Sequence, residues 1–189
     1  VVYEGKLPMI DASENPRFKK FMQIVDKYRT IGVRTNADTP ADARVARAFG
    51  AEGIGLFRTE HMFYGTGSDE PLFLLRKMIL SKDETERRNA LEELFPFVKR
   101  DIKNTLEAME GLPVTIRLLD PPLHEFVPQS PEKQAELATA LGINAEDVRK
   151  RGEALHESNP MMGHRGVRLG ISYPEVTEIQ VRAIFEAAA

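Results

Sequence analysis

An α/β fold, the first half of a TIM-type parallel β/α barrel with extra helices, is what three features of the sequence predict. The first is a set of three segments, GIGLFRTEHMF at 53–63, VTIRLLDPPLHEF at 114–126 and NPMMGHRGVRLG at 159–170, in which a short apolar run delivers an arginine (Arg58, Arg117, Arg165) beside further polar groups. The second is that helical stretches separate these runs, as crossovers separate parallel strands whose functional side chains collect at one rim. The third is length: 189 residues suffice for one sizeable core, whereas a complete eightfold barrel takes about 250. The expectation is about four strand–helix units, half a barrel.

In chain order, VVYEGKLPMI carries Gly5 and Pro8 and reads as a terminal strand or an extended connector. The stretch 13–29 reads as a helix, with Ser13 or Asn15 as cap, Pro16 in the first turn, and Phe18, Phe21, Met22, Ile24 and Val25 at helical spacing. TIGVRTNA (30–37) is a strand candidate, and 38–51 a helix with an Asp/Thr start, Pro40 in its first turn and Gly50 near its end. GIGLF (53–57) is the next strand. YGTGSDEP (64–71) is a loop by composition, and its GTGS lacks the Gly-Lys-Ser/Thr ending of a phosphate loop. LFLLRKMIL and the run 83–110 follow, the latter helical by the spacing of Leu91, Leu94, Phe95, Val98, Ile102 and Leu106, with a kink expected at Pro96. PVTIRLLD (113–120) is a strand ended by Pro121 and Pro122. SPEKQAELATALG and NAEDVRKRGEALHES make a helical pair, GHRGVRLG (163–170) is a short glycine-rich strand, and 177–189 closes on a helix. No internal repeat points to a solenoid.

A chain 42% hydrophobic and 29% charged, with net charge -3, has the composition of an ordinary globular protein, and its acidic balance argues against nucleic acid as a partner. No apolar run approaches the ~20 residues of a membrane span, and the first residues lack the charged start and apolar core of a signal peptide, so a cytoplasmic protein with no membrane partner is expected. Without cysteine the chain has no disulfide and no thiol acid or nucleophile.

Arginine suits a phosphoryl or carboxylate group because its planar fork donates in pairs and stays ionised. Phosphoryl transfer runs through an anionic transition state in which a protein mainly positions groups and neutralises charge. Three converging arginines match that chemistry; the plainer alternative is that each forms a fold-holding pair, Arg58 with Glu60 and Arg117 with Asp120. His61, His124 and His164 each follow a motif strand, but no pair has the i, i+4 spacing of a helical zinc site, which leaves them supporting or loop-anchoring roles. His156 lies in a charged helix and reads as solvated. Arg34 and Asn36 close the first strand candidate and are lesser substrate-contact candidates, as is Arg168; Met161 and Met162 read as core.

These motifs also carry a resemblance. RTNADTP, AEGIGLFRTEHMF, IRLLDPPLHEFVP and NPMMGHRGVRLG resemble the front half of the phosphoenolpyruvate/pyruvate-binding barrel of the phosphoenolpyruvate-utilising enzymes. DPPLHEF favours the pyruvate phosphate dikinase branch over phosphoenolpyruvate synthase and enzyme I of the sugar phosphotransferase system. The resemblance implies a phosphotransferase interconverting ATP, pyruvate and phosphate with AMP, phosphoenolpyruvate and diphosphate through a phosphohistidine. It assigns Arg58, Arg117 and Arg165 as catalytic and substrate-binding residues holding the phosphoryl group that moves to or from pyruvate. It implies Mg2+, with its carboxylate ligands and an acid cysteine on later strands outside this chain, and makes the phosphohistidine domain of the same protein a partner. It also divides the chain into a connector from that domain with a linker helix, 1–29, and the N-terminal half of the barrel, 30–189. Alone, such a half is expected to be inactive and, having two open sheet edges, to form a homodimer. A non-catalytic anion-binding or interaction module is the alternative of another class.

Overall fold

The computed structural model describes residues 2–9, 14–65 and 67–189; Ser13, one of the two expected caps, and Thr66 of the GTGS loop lie outside them. Three strands occur among the described residues: β1 (Thr35–Asn36), β2 (Ile54–Arg58) and β3 (Val114–Arg117). They form one parallel sheet in the order β1-β2-β3, the sequential order of barrel strands. Thr35 pairs with Ile54 and Asn36 with Leu56; at the far end Phe57 pairs with Ile116 and Arg58 with Arg117. The chain is a partial piece of the barrel, with helices carrying most of its length.

Asn15 caps α1 (Pro16–Tyr28) by accepting from the Arg17 amide, and Pro16 occupies the first turn, where its missing N–H costs nothing. None of this helix is buried, and Phe21, Ile24 and Tyr28 face solvent. Between β1 and β2 runs α2 (Pro40–Ala48), capped by Thr39. After β2 come a 3-10 turn (Thr59–Phe63), α3 (Asp69–Ile79) and α4 (Glu84–Ala108), which continues as one helix through Pro96. The α4 stripe of Leu91, Leu94, Val98 and Ile102 is buried, and the helix packs on α2, α3 and the C-terminal α8 (Pro174–Ala188). α5 (Pro131–Leu141) and α6 (Ala145–Leu155) pack together as the expected pair, capped by Ser130 and Asn144. The core joins Ile54 and Phe57 of the sheet to Leu75, Met78, Leu94, Ile102, Val176 and Ala183 of the helices.

Three expectations give way. The glycine-rich segment expected as a fourth strand is instead α7 (Gly166–Ser172), preceded by a short 3-10 turn (Pro160–Met162), so the sheet has three strands among the described residues. The first strand is shorter than its apolar run: Ile31 and Val33 are exposed, Val33 O accepts from Glu52 N at 2.8 Å, and the strand itself spans only Thr35–Asn36. Met161 and Met162 are 69% and 62% exposed, surface rather than core.

Candidate functional site: an arginine and carboxylate array at the strand ends

Arg58 and Arg117 are the last residues of β2 and β3 and face each other in register, so adjacent parallel strands put two guanidinium groups on one rim. Arg165 reaches the same group from a different element. It is the extended residue that precedes α7, and the loop carrying it leans on the segment after β3: the Leu123 amide donates to the His164 carbonyl at 3.3 Å. Gly163 permits that approach, since a Cβ there would lie 2.6 Å from Pro122 Cβ.

Carboxylates interleave the arginines. Asp38, just past β1, accepts from the Arg58 amide at 2.9 Å, from Nε at 3.1 and 3.0 Å and from Nη2 at 2.5 Å. His61 Nδ1 lies 3.2 Å from the same carboxylate. Glu60, nearly fully buried in the turn after β2, takes Arg117 Nη2, while Asp120 is shared by Arg117 Nη1 at 3.2 Å and Arg165 Nη2 at 2.7 Å. The expected Arg58–Glu60 pair is therefore replaced by Arg58–Asp38 and Arg117–Glu60, while Arg117–Asp120 forms. Glu60 lies past the end of β2 in the 3-10 turn, where the same-face alternation of a strand no longer holds, so Arg58 and Arg117 each find an acid across the sheet, Asp38 and Glu60. Asp38 had no signal of its own in the sequence; it becomes visible only when β1 and β2 are in register.

Burial alone raises the Asp38 carboxyl, but the hydrogen bonds from the Arg58 side chain and amide, with the charges of His61 and Arg58, hold it below the usual carboxylate range. The Asp38 hydrogen bond in turn raises Arg58 above its ordinary value. Two atoms inside the array, Glu60 Oε2 and Arg117 Nε, are buried and take no protein partner among the described residues. The Arg58 and Arg117 side chains remain 33% and 38% exposed, so the acids fix each fork without shutting it off from solvent. Such an array binds a phosphoryl or carboxylate group through paired donors.

The lesser candidates separate. Asn36 ends β1 on the arginine rim, whereas Arg34 precedes β1 and sits at the opposite end. Arg168 holds the Gly163 and Met161 carbonyls at 3.0 and 2.7 Å, fixing the loop before α7. His124 is buried with its ring 5.8 Å from that of exposed His156, and His164 lies 5.1 Å from Tyr173. Among the described residues no group of three or more His, Asp or Glu side chains could hold a metal ion. A 640 Å³ cavity between the α3–α4 turn and α6 is lined by Lys82, Arg87, Lys150, Arg151 and Asp147 among others, and by none of the three arginines.

The family model described as PEP-utilising enzyme, PEP-binding domain, matches residues 12–189. The chain is 56% identical over 187 residues to the pyruvate, phosphate dikinase of Rhizobium meliloti (strain 1021), covering 99% of this chain and 20% of that protein. It is 51% identical to the pyruvate, phosphate dikinase of Clostridium symbiosum, covering 99% of this chain and 21% of the relative. It is also 51% identical to the chloroplastic pyruvate, phosphate dikinase 1 of Oryza sativa subsp. japonica, over 97% of this chain and 19% of the relative. The chain thus spans about a fifth of the length of the curated relatives it matches.

Proposed function

The chain belongs to the family of PEP-utilising enzymes, through their PEP-binding domain, and from that membership we propose that it is part of a pyruvate phosphate dikinase. That enzyme, a phosphotransferase, interconverts ATP, pyruvate and phosphate with AMP, phosphoenolpyruvate and diphosphate through a phosphohistidine. This chain contributes phosphoryl-binding arginines of the pyruvate half-site. The observation that carries the reading is the register of Arg58 and Arg117 at neighbouring strand ends, with Arg165 joined to Arg117 through Asp120.

In this reading the anionic phosphoryl group of phosphoenolpyruvate lies against the open sides of the three forks. As the bond to the enolate oxygen stretches, negative charge gathers on the equatorial phosphoryl oxygens and on the enolate, and the guanidinium groups neutralise it. Asp38, Glu60 and Asp120 keep the forks in place, so that little reorganisation is left for the reaction itself. The phosphohistidine reaches this rim from another domain of the same polypeptide, for which residues 1–29 are the connector and 30–189 the front of the barrel.

Magnesium is the cofactor the family implies, and its chemistry is charge neutralisation at the phosphoryl group. The residues here do not fit it: the three acids nearest the arginines each hold an arginine, and no metal-holding cluster exists among the described residues. We therefore assign its ligands outside this chain, as we do the acid that completes pyruvate. A homodimer and a cytoplasmic location complete the proposal. No helix among the described residues is long and apolar enough to cross a membrane, and the rice relative is named chloroplastic, so the compartment is a property of the individual protein.

Replacing Arg58, Arg117 or Arg165 by Ala in the full-length enzyme is expected to slow phosphoryl exchange between phosphoenolpyruvate and the histidine about a hundredfold or more. Phosphorylation of the histidine by ATP should stay intact. Arg→Lys should recover only part of the loss, because the fork geometry is gone. A loss confined to the ATP half-reaction would refute the assignment.

A further inference from the structure

One carboxylate holds both the backbone and the side chain of Arg58. The last ladder bond runs from Ala37 N, just past β1, to Leu56 O at 3.2 Å, and the chain then enters α2, capped by Thr39. Past β1 a side chain takes the amide of Arg58 in place of the backbone: Asp38 Oδ1 accepts from Arg58 N at 2.9 Å. The same carboxylate binds Arg58 Nε and Nη2 edge-on. Only 9% of the Asp38 side chain is exposed, while 33% of Arg58 is. His61 Nδ1, at 3.2 Å from Oδ2, occupies a further side of the carboxylate.

We propose that Asp38 is a positioning residue for the pyruvate half-reaction, which orients the Arg58 guanidinium by tying its amide and one edge of its fork to a single buried carboxylate. The inference rests on the reading of Arg58 as a phosphoryl-binding group. An ion pair that only held the fold would need charge; here two oxygens meet three donors of one residue, which fixes rotamer as well as distance. A free arginine side chain carries rotamer entropy, and losing it on folding rather than on binding is preorganisation. The exposed remainder of the fork then meets the phosphoryl group in one orientation, set from β1.

The test uses the full-length enzyme and measures the two half-reactions separately. Asp38→Asn keeps one acceptor oxygen but loses the charge and the second strong acceptor. It is expected to lower kcat/KM for phosphoryl transfer from phosphoenolpyruvate to the histidine by about tenfold to a hundredfold. The ATP half-reaction should be unchanged. On an Arg58→Ala background the same substitution should add no more than about a twofold loss, since its effect runs through Arg58. Asp38→Glu keeps the charge but displaces it by one methylene, and it should show a similar loss with an unchanged melting temperature. That variant decides the matter if Asp38→Asn does not fold. Wild-type phosphoenolpyruvate kinetics in a folded Asp38 variant, or a full additional loss on the Arg58→Ala background, overturns the proposal. If Arg58→Ala alone leaves the half-reaction intact, the phosphoryl-binding reading falls first and takes the positioning role with it.

Discussion

At residue scale, Gly53 shows how little room the sheet leaves at its entry. Its φ is +149°, and a Cβ there would lie 2.5 Å from the Pro113 carbonyl oxygen. The same oxygen accepts from Ile54 N at 2.9 Å, so it cannot retreat without opening the β2–β3 ladder. Gly53→Ala should destabilise the protein by about 2 kcal/mol or more, and an unchanged urea midpoint would count against the argument. His164 supplies a pH dependence. Burial lowers its pKa, and the charges of Arg151 and Arg168 lower it further, against a smaller opposing hydrogen bond. Between the folded value and the ordinary value near 6.5, the unfolded chain binds more protons than the folded one. Stability from this group is therefore complete above about pH 6.5 and lost as pH falls through the folded value. Melting temperature should drop on going from pH 7 to about pH 5, and drop less in His164→Gln; equal slopes would remove His164 as the cause. The three arginines could be read from the sequence because each ends an apolar run. The local partner Asp120, three residues past Arg117, could be read as well; Asp38 and Glu60 could not, because they meet Arg58 and Arg117 through strand register, and register is a property of pairs of segments rather than of either one.

At element scale, helices carried their own punctuation and strands did not. Pro16, Pro40, Pro131 and Pro174 mark first turns, and Asn15, Thr39, Asp83, Ser130 and Asn144 cap with their side chains. Asp83 takes the Glu86 amide at 2.9 Å while Glu86 reaches back to Lys82 N at 2.9 Å, a reciprocal lock on the start of α4. Asp83→Ala should cost about 1 kcal/mol, read as a shift in denaturant midpoint with its slope unchanged, whereas no shift would mean the lock is idle. The strand β1 was harder to bound because Ile31 and Val33 are apolar yet exposed, and precede the strand. α7 was misread for a related reason: only Leu169 of its seven residues is buried, so neither a period of two nor one of 3.6 can register. Its glycines suggested a tight strand, while in the fold Gly163 serves the contact with Pro122 and Gly166, at φ +55°, opens the helix.

At the scale of the whole molecule, the parallel sheet is fastened to the chain's end through α4 and α8. Gln180 of α8 accepts from the Leu119 amide at 2.7 Å, just past β3, and donates to Val176 O at 2.8 Å. Arg87 of α4 meets Glu175 of α8 at 2.6 Å, with its guanidinium 4.1 Å above the Tyr173 ring, and both side chains are largely out of solvent. Desolvation makes such a pair a weak source of stability but a costly one to split, because removing one partner strands a buried charge. Glu175→Ala should therefore destabilise the protein by about 3 kcal/mol and loosen α8 from α4, seen as faster amide exchange in both helices. A double substitution with apolar residues of similar volume, Arg87→Met with Glu175→Leu, should recover most of that loss, since the stranded charge disappears and the contact becomes hydrophobic. A double variant no more stable than Glu175→Ala alone would show instead that the ion pair itself, with its cation–π contact, holds the two helices together.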